Sequence, residues 1–342
     1  MNNFHKILIK MSTYIVTTSL LLLVVACGSP SETTESQLKA ESTAVSSMSN
    51  PSPSSKSGPV TLADAAVPTP TMEGEAQSSG TFNRLWADPP TLDPHLTSDT
   101  TSAGIVVEIF GGLVSFDTSL NLVADLAESW EISSDAQTYT FKIRDNAVFH
   151  NGKQVTAHDF KWSLERAASP DTASPVAETY LGDIVGVNEV LEGNATSIRG
   201  IKVIDDKTVQ IQIDAPKAYF LQKLTYPTAF VVDRENVEEG GRTWTDKPNG
   251  SGPFKMIEYK IGERLILERH DNYHLEPAKL KKIQMNLAGG SSMAMYENDE
   301  IDLTGVSLFD LERIKDPNDA LHSDLVVANP SFSISYIGFN VG

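Results

Sequence analysis

Apolar positions along the chain recur every second residue in some stretches and every third or fourth in others, and these changes of spacing delimit the predicted elements. Residues 81–86 read as a short strand, stopped by Pro89-Pro90 because proline offers no ladder donor. Over 102–113, Ile105, Ile109 and Leu113 share one helical face. Tyr139, Phe141 and Ile143 alternate with polar residues, as in a half-buried strand. Asn151-Gly152 then marks a tight hairpin turn, since both residues tolerate positive φ. Thr156-Ala157-His158-Asp159 has the form of a capping box opening a helix to about Ala168, with Phe160 and Leu164 facing inward. Asp205-Asp206 separates Ile201 to Ile204 from Val209, Ile211 and Ile213, a second hairpin. Further strands are expected over 254–259, 264–269, 283–287, 325–328 and 333–339, and short helices over 293–298 and 308–314. The whole is mixed α/β without strict βαβ alternation. Trp130, Tyr139 and Phe149 are the expected core aromatics. Gly250 and Gly252 bracket a turn that needs positive φ or close backbone approach.

The first stretch follows another pattern. His5, Lys6 and Lys10 precede a mostly apolar run from Tyr14 to Ala26, the layout of a secretory leader. The run is shorter than the roughly 20 residues a membrane-spanning helix takes. It ends in Val24-Val25-Ala26-Cys27-Gly28, which resembles the lipobox of bacterial lipoproteins, where small residues admit the signal peptidase and the thiol accepts a lipid. Cys27 is the one cysteine of the chain, so lipidation rather than an internal disulfide gives the thiol a use. On this reading 1–27 is a leader and Cys27 the mature N-terminus; an ordinary leader cleaved elsewhere, or an uncleaved anchor, is the alternative. Between 28 and 80, Ser, Thr, Pro, Ala and Glu replace almost every large apolar residue. Such a segment cannot offset its ordering entropy by burial and reads as a disordered tether.

Composition adds bounds. With 342 residues, 40% of them hydrophobic, the chain can build two or three domain-sized units. A formal charge of −18 argues against sequence-independent nucleic-acid binding, which needs basic patches, while saying little about a substrate. His270-Asp271-Asn272-Tyr273-His274 carries two histidines at i,i+4, but a metalloprotease helix needs glutamate directly after the first, and the preceding residues read as strand. These histidines are therefore read as structural or surface groups. No nucleophile elbow or Walker-type loop is present, and nothing singles out a carboxylate pair, so no catalytic residue, metal or cofactor is expected.

Pro90-Thr91-Leu92-Asp93-Pro94-His95 resembles the opening motif of the family 5 solute-binding proteins, the oligopeptide- and dipeptide-binding group of ABC importers. Ala124-Asp125-Leu126-Ala127-Glu128-Ser129-Trp130, Tyr139 to Arg144 and Phe149 to Phe160 resemble successive blocks of that family in the same order. Pro170-Asp171-Thr172-Ala173-Ser174-Pro175 resembles its oligopeptide branch, as do Gly250 to Phe254 and Glu300-Ile301-Asp302. The resemblance implies a two-lobed fold of the periplasmic-binding-protein type II class with an extra domain typical of peptide binders. Lobe one would comprise 81–110 and 233–332, the extra domain 111–232, and lobe two would begin at 333–342, its remainder largely missing. With one jaw incomplete, these 342 residues alone are expected to bind peptide weakly and to expose a strand edge at 333–339.

The implied function is capture of oligopeptides outside the cell membrane and delivery to an ABC permease, from a lipid anchor on the outer face of the cytoplasmic membrane. An extended peptide would be held through its main chain, with roomy, water-bridged pockets for its side chains. By position in the family, Ser98, Asp99 and Thr100 match one ligand-facing segment, and Gly305, Val306 and Ser307 another. Val176 matches a place where the family can set a tyrosine against the peptide, and valine lacks that hydroxyl. A surface-anchored structural or adhesive lipoprotein and a peptidase on the same scaffold are the rival readings.

Overall fold

The computed structural model describes residues 80–327 together with Ile337 and Phe339. The leader, Cys27 and the tether up to Ser79 lie outside the described residues, as does the rest of 328–342, where the strand over 333–339 and the start of lobe two were expected.

Strand β1 (Thr81–Leu85) and helix α1 (Thr100–Ile109) come first. β2 (Val114–Phe116) and β3 (Leu122–Ala124) form a small antiparallel hairpin. Next are β4 (Ala127–Ile132), β5 (Thr138–Ile143), α2 (Ala157–Ala168) and the short helices α3 (Ala177–Leu181) and α4 (Val187–Leu191). β6 (Ile201–Asp205) and β7 (Thr208–Gln212) make a hairpin, followed by α5 (Phe220–Lys223) and α6 (Arg234–Gly240). β8 (Phe254–Lys260), β9 (Arg264–Arg269), β10 (Lys282–Asn286), α7 (Ser292–Glu297) and α8 (Leu308–Lys315) complete the described chain.

Two four-stranded sheets organise these elements. One has the order β1-β10-β9-β8, with β1 parallel to β10 and the other pairs antiparallel. The other is antiparallel, in the order β4-β5-β7-β6. Because β1 pairs with β10, and β8 and β9 complete the same sheet, the strands of the second sheet, β4 to β7, are an excursion between β1 and β8 of the first. Each sheet has its own apolar core. Tyr139, Phe141 and Ile143 of β5 point into one, with Val209 and Ile211 of β7 and Phe160 and Leu164 of α2. Leu265 and Leu267 of β9 point into the other, with Ile105 and Ile109 of α1 and Met285 of β10. The change from one core to the other falls between Phe110 and Leu113, and again between Phe230 and Val232.

Local expectations hold where the signal is local. The Thr156 hydroxyl accepts from Asp159 N and the Asp159 carboxylate accepts from Thr156 N, the reciprocal pattern that opens α2. The helix expected over 102–113 is displaced: Asp99 caps it, so it starts two residues earlier than expected, and Phe110 is already extended. Gly112 N is then taken by Asp125 Oδ2 at 3.2 Å. The Asn151-Gly152 turn exists, with Gly152 at φ 89°, but only an isolated bridge, Val148 to Gln154, flanks it. Trp130 is half-buried and packs against the margin of the core that holds Tyr139 and Phe149, on β4 at the edge of its sheet. Residues 325–327 are irregular rather than strand; Val326 and Val327 are exposed and pair with no strand among the described residues.

Candidate functional site

The opening motif is an anchoring device. Asp93 receives Arg166 of α2 in a two-pronged contact, at 3.0 and 2.5 Å, and its Oδ1 also accepts from His95 N. His95 is fully buried; its Nδ1 accepts from Arg166 at 2.7 Å and its Nε2–H donates to Phe230 O at 3.1 Å, which fixes the tautomer. The Arg166 guanidinium lies 5.4 Å from the centre of the Trp244 ring. Burial by itself would raise the Asp93 carboxyl, but Arg166 and His95 outweigh it and hold the group below the usual carboxylate range. This network ties α2, from one core, to the segment leading into α1 of the other.

That segment then presents the sequence-predicted site. Thr97 is buried, and its hydroxyl donates to Asp93 O. Ser98 and Thr100 are exposed, and the half-buried Asp99 is the N-cap of α1, its Oδ1 accepting from Ser102 N at 2.8 Å. Slight burial acts to raise the Asp99 carboxyl, yet donors at Ser102 and Thr101 outweigh it and keep the group low and ionised. Val176 is half-buried at the N-cap of α3 and makes no side-chain capping bond. One turn later, Tyr180 stacks on Tyr226, with ring centroids 3.7 Å apart and planes 8° from parallel. The Tyr226 hydroxyl donates to Thr97 O at 3.3 Å. It is pushed up by burial first, and then by Tyr180 and the Asp99 carboxylate. Tyr226 therefore joins the Ser98–Asp99–Thr100 segment to α3 and Val176. The sequence reading missed this tyrosine pair: the two residues lie far apart in the chain, and no local pattern marks either.

Gly305, Val306 and Ser307 lie in the loop that leads into α8. Gly305 and Val306 line an open cavity of about 560 Å³ with Met293, Leu303, Ile314 and Val326. Ser307 caps α8, donating its hydroxyl proton to Asp310 Oδ2 at 2.6 Å. Among the described residues, no hydrogen bond joins this loop to Ser98, Asp99, Thr100 or Val176. The structure thus links the first two groups of predicted residues through Tyr226.

The histidines have structural partners. Gly252 O accepts from both His150 Nε2, at 3.1 Å, and His270 Nδ1, at 3.2 Å, and His274 Nε2 meets Asp125 Oδ1 at 2.7 Å. No metal-binding cluster of three or more side chains is found among the described residues. Burial pushes His95 down to about 4 and His150 down to about 3. In the unfolded chain both bind a proton below about pH 6.5, whereas the folded protein refuses it until those lower values. Their contribution is therefore complete above pH 6.5 and is lost as pH falls from there. At pH 5.5 each histidine is expected to cost about 1.4 kcal/mol relative to pH 7.5. Urea unfolding at the two pH values checks this; equal stability at both would contradict it.

The family described as bacterial extracellular solute-binding proteins, family 5 Middle, matches residues 121–342. The chain is 34% identical over 224 residues to the periplasmic oligopeptide-binding protein OppA of Salmonella typhimurium, covering 63% of this chain and 40% of that protein. It is 30% identical over 265 residues to the probable deoxycholate-binding periplasmic protein YgiS of Escherichia coli, covering 75% of this chain and 48% of that one. Among solved structures, an oligopeptide-binding protein of an ABC transporter from Borrelia burgdorferi superposes with a TM-score of 0.66 at 33% identity. That alignment covers 70% of this chain and 50% of the other, so the chain spans half or less of the length of each of these proteins. The fold is that part of a mixed α/β, type II periplasmic binding protein. The chain belongs to the family 5 bacterial extracellular solute-binding proteins.

Proposed function

We propose that this chain is part of the binding component of an oligopeptide importer, which captures peptides outside the cytoplasmic membrane and hands them to an ABC permease. The observation that carries the reading is the match to an oligopeptide-binding protein, together with a largely exposed Ser98–Asp99–Thr100 segment joined through Tyr226 to the helix that begins after Val176. In this reading the first sheet and its core, 81–110 with 233–332, form lobe one. The second sheet, 111–232, forms the extra domain, and 333–342 begins lobe two. Cys27 carries the lipid, and 28–80 tethers the binding unit to the membrane. The protein acts by ligand-driven closure without catalysis: peptide favours the closed form and shifts the population toward it.

Titration with a pool of tri- to pentapeptides, followed by NMR at millimolar concentration, tests the reading. Saturable shifts are expected at Ser98, Asp99, Thr100, Val176, Tyr180 and Tyr226. Deoxycholate, named for the Escherichia coli relative, is the competing ligand class. Shifts with deoxycholate and none with peptides would replace the peptide reading.

A further inference from the structure

Asp99 is partly exposed on the candidate face, and no arginine, lysine or histidine among the described residues pairs with it. Its Oδ1 serves the helix cap, while Oδ2 accepts no hydrogen bond among the described residues. A bare helix N-terminus attracts anions, but a carboxylate seated on it reverses the local preference. Beside it stands the Tyr180–Tyr226 stack, and tyrosine ring faces and phenol oxygens are electron-rich. The Tyr226 proton is already committed to Thr97 O, so its oxygen offers the site only lone pairs. Val176 and Tyr180 are four residues apart at the start of α3, linked by a 3.1 Å bond from Tyr180 N to Val176 O, so an aliphatic residue opens the helix that carries the ring. Carboxylate, π-stack and aliphatic neighbour together suit a long side chain with an apolar stem and a cationic head.

We infer that Asp99, Tyr180, Tyr226 and Val176 form a subsite for a lysine or arginine side chain of the bound peptide. The inference rests on the peptide-binding reading and deepens it by naming a preferred side-chain chemistry. The stem lies along Val176 and the tyrosine rings, and the head pairs with the free oxygen of Asp99.

The experiment uses protein labelled with ¹³C in its tyrosine rings. The probes are acetyl-Ala-Lys-Ala-amide, its norleucine counterpart, and Ala-norleucine-Ala with a free amino terminus. The lysine peptide is expected to shift the Tyr180 and Tyr226 signals saturably, with an affinity about fivefold above that of blocked norleucine. Asp99→Asn, which preserves the helix cap, is expected to erase that difference. Equal affinities for the two blocked peptides would overturn the subsite and leave the peptide reading standing. A free-amine norleucine peptide as strong as the lysine peptide would assign the pocket to the α-amino group and overturn the side-chain assignment. If no peptide moves any signal, both fall.

Discussion

Replacing Arg166 with methionine is expected to lower stability by about 3–5 kcal/mol, measured by urea unfolding at neutral pH. The side chain of Asp93 is only 6% exposed, and Arg166 supplies both of its strong donors. Without the guanidinium, a carboxylate stays behind in the interior with little but the His95 backbone N–H to satisfy it. His95 Nδ1 loses its donor in the same step. Methionine keeps much of the packing volume, so the loss reports charge and hydrogen bonding more than a cavity. A double-mutant cycle with Asp93→Ala adds a second reading. If the pair acts as a unit, the combined loss falls short of the sum of the single losses, because removing both charges leaves neither stranded. A loss under about 1 kcal/mol for Arg166→Met would place this contact among ordinary surface pairs and refute the argument.

Which parts of this fold were readable from sequence follows from how local their causes are. β5 and β9 bury one face each, so Tyr139-Phe141-Ile143 and Leu265-Leu267 write a period of two into the chain. The start of α2 was readable because Thr156 and Asp159 satisfy each other three residues apart. β4 was not, since its register slips between Ala127 and Ser129 and it lies at a sheet edge, leaving Ala-Glu-Ser-Trp-Glu-Ile without clean alternation. The apolar letters of 325–328 invited a strand, but 325–327 are irregular and meet no strand partner among the described residues. For the candidate site, family position named Ser98, Asp99, Thr100 and Val176 from two segments distant in sequence. What connects them, Tyr226 between Thr97 and Tyr180, is purely tertiary and leaves no spacing to read.

The same contrast separates scaffold from site within the opening motif. Asp93 and His95 turn inward and are consumed by Arg166 and Phe230. A few residues on, Ser98 and Thr100 turn outward, and Asp99 spends one oxygen on its helix and keeps the other. The buried network thus orients an exposed one. Damage to the first is expected to reach the second by displacing α1, whose N-terminus carries Asp99.

The other end of α1 gives the most severe test of that dependence. Gly250→Ala is expected to cost about 5 kcal/mol or more and to prevent the protein from accumulating in folded form. A methyl group at 250 would sit 1.9 Å from Ile109 O and 2.8 Å from Ile109 C, and both are backbone atoms that cannot rotate away. Ile109 O is also the acceptor for Gly252 N at 2.8 Å, so moving it breaks the bond that docks this turn to the helix. Gly250 O meanwhile accepts from His150 N at 2.8 Å, which carries the disturbance into the neighbouring core. Gly250 was expected to serve either a positive φ or a close approach; it is the close approach that demands glycine here. Gly305→Ala is the control, because a methyl group there would meet nothing within 4 Å among the described residues, and the change should stay within about 0.5 kcal/mol. Circular dichroism and urea unfolding of the two variants side by side decide the matter. A Gly250→Ala protein that folds with near-normal stability would show that α1 can slide away from the turn, and the rigid link from Gly250 to Asp99 would have to be abandoned.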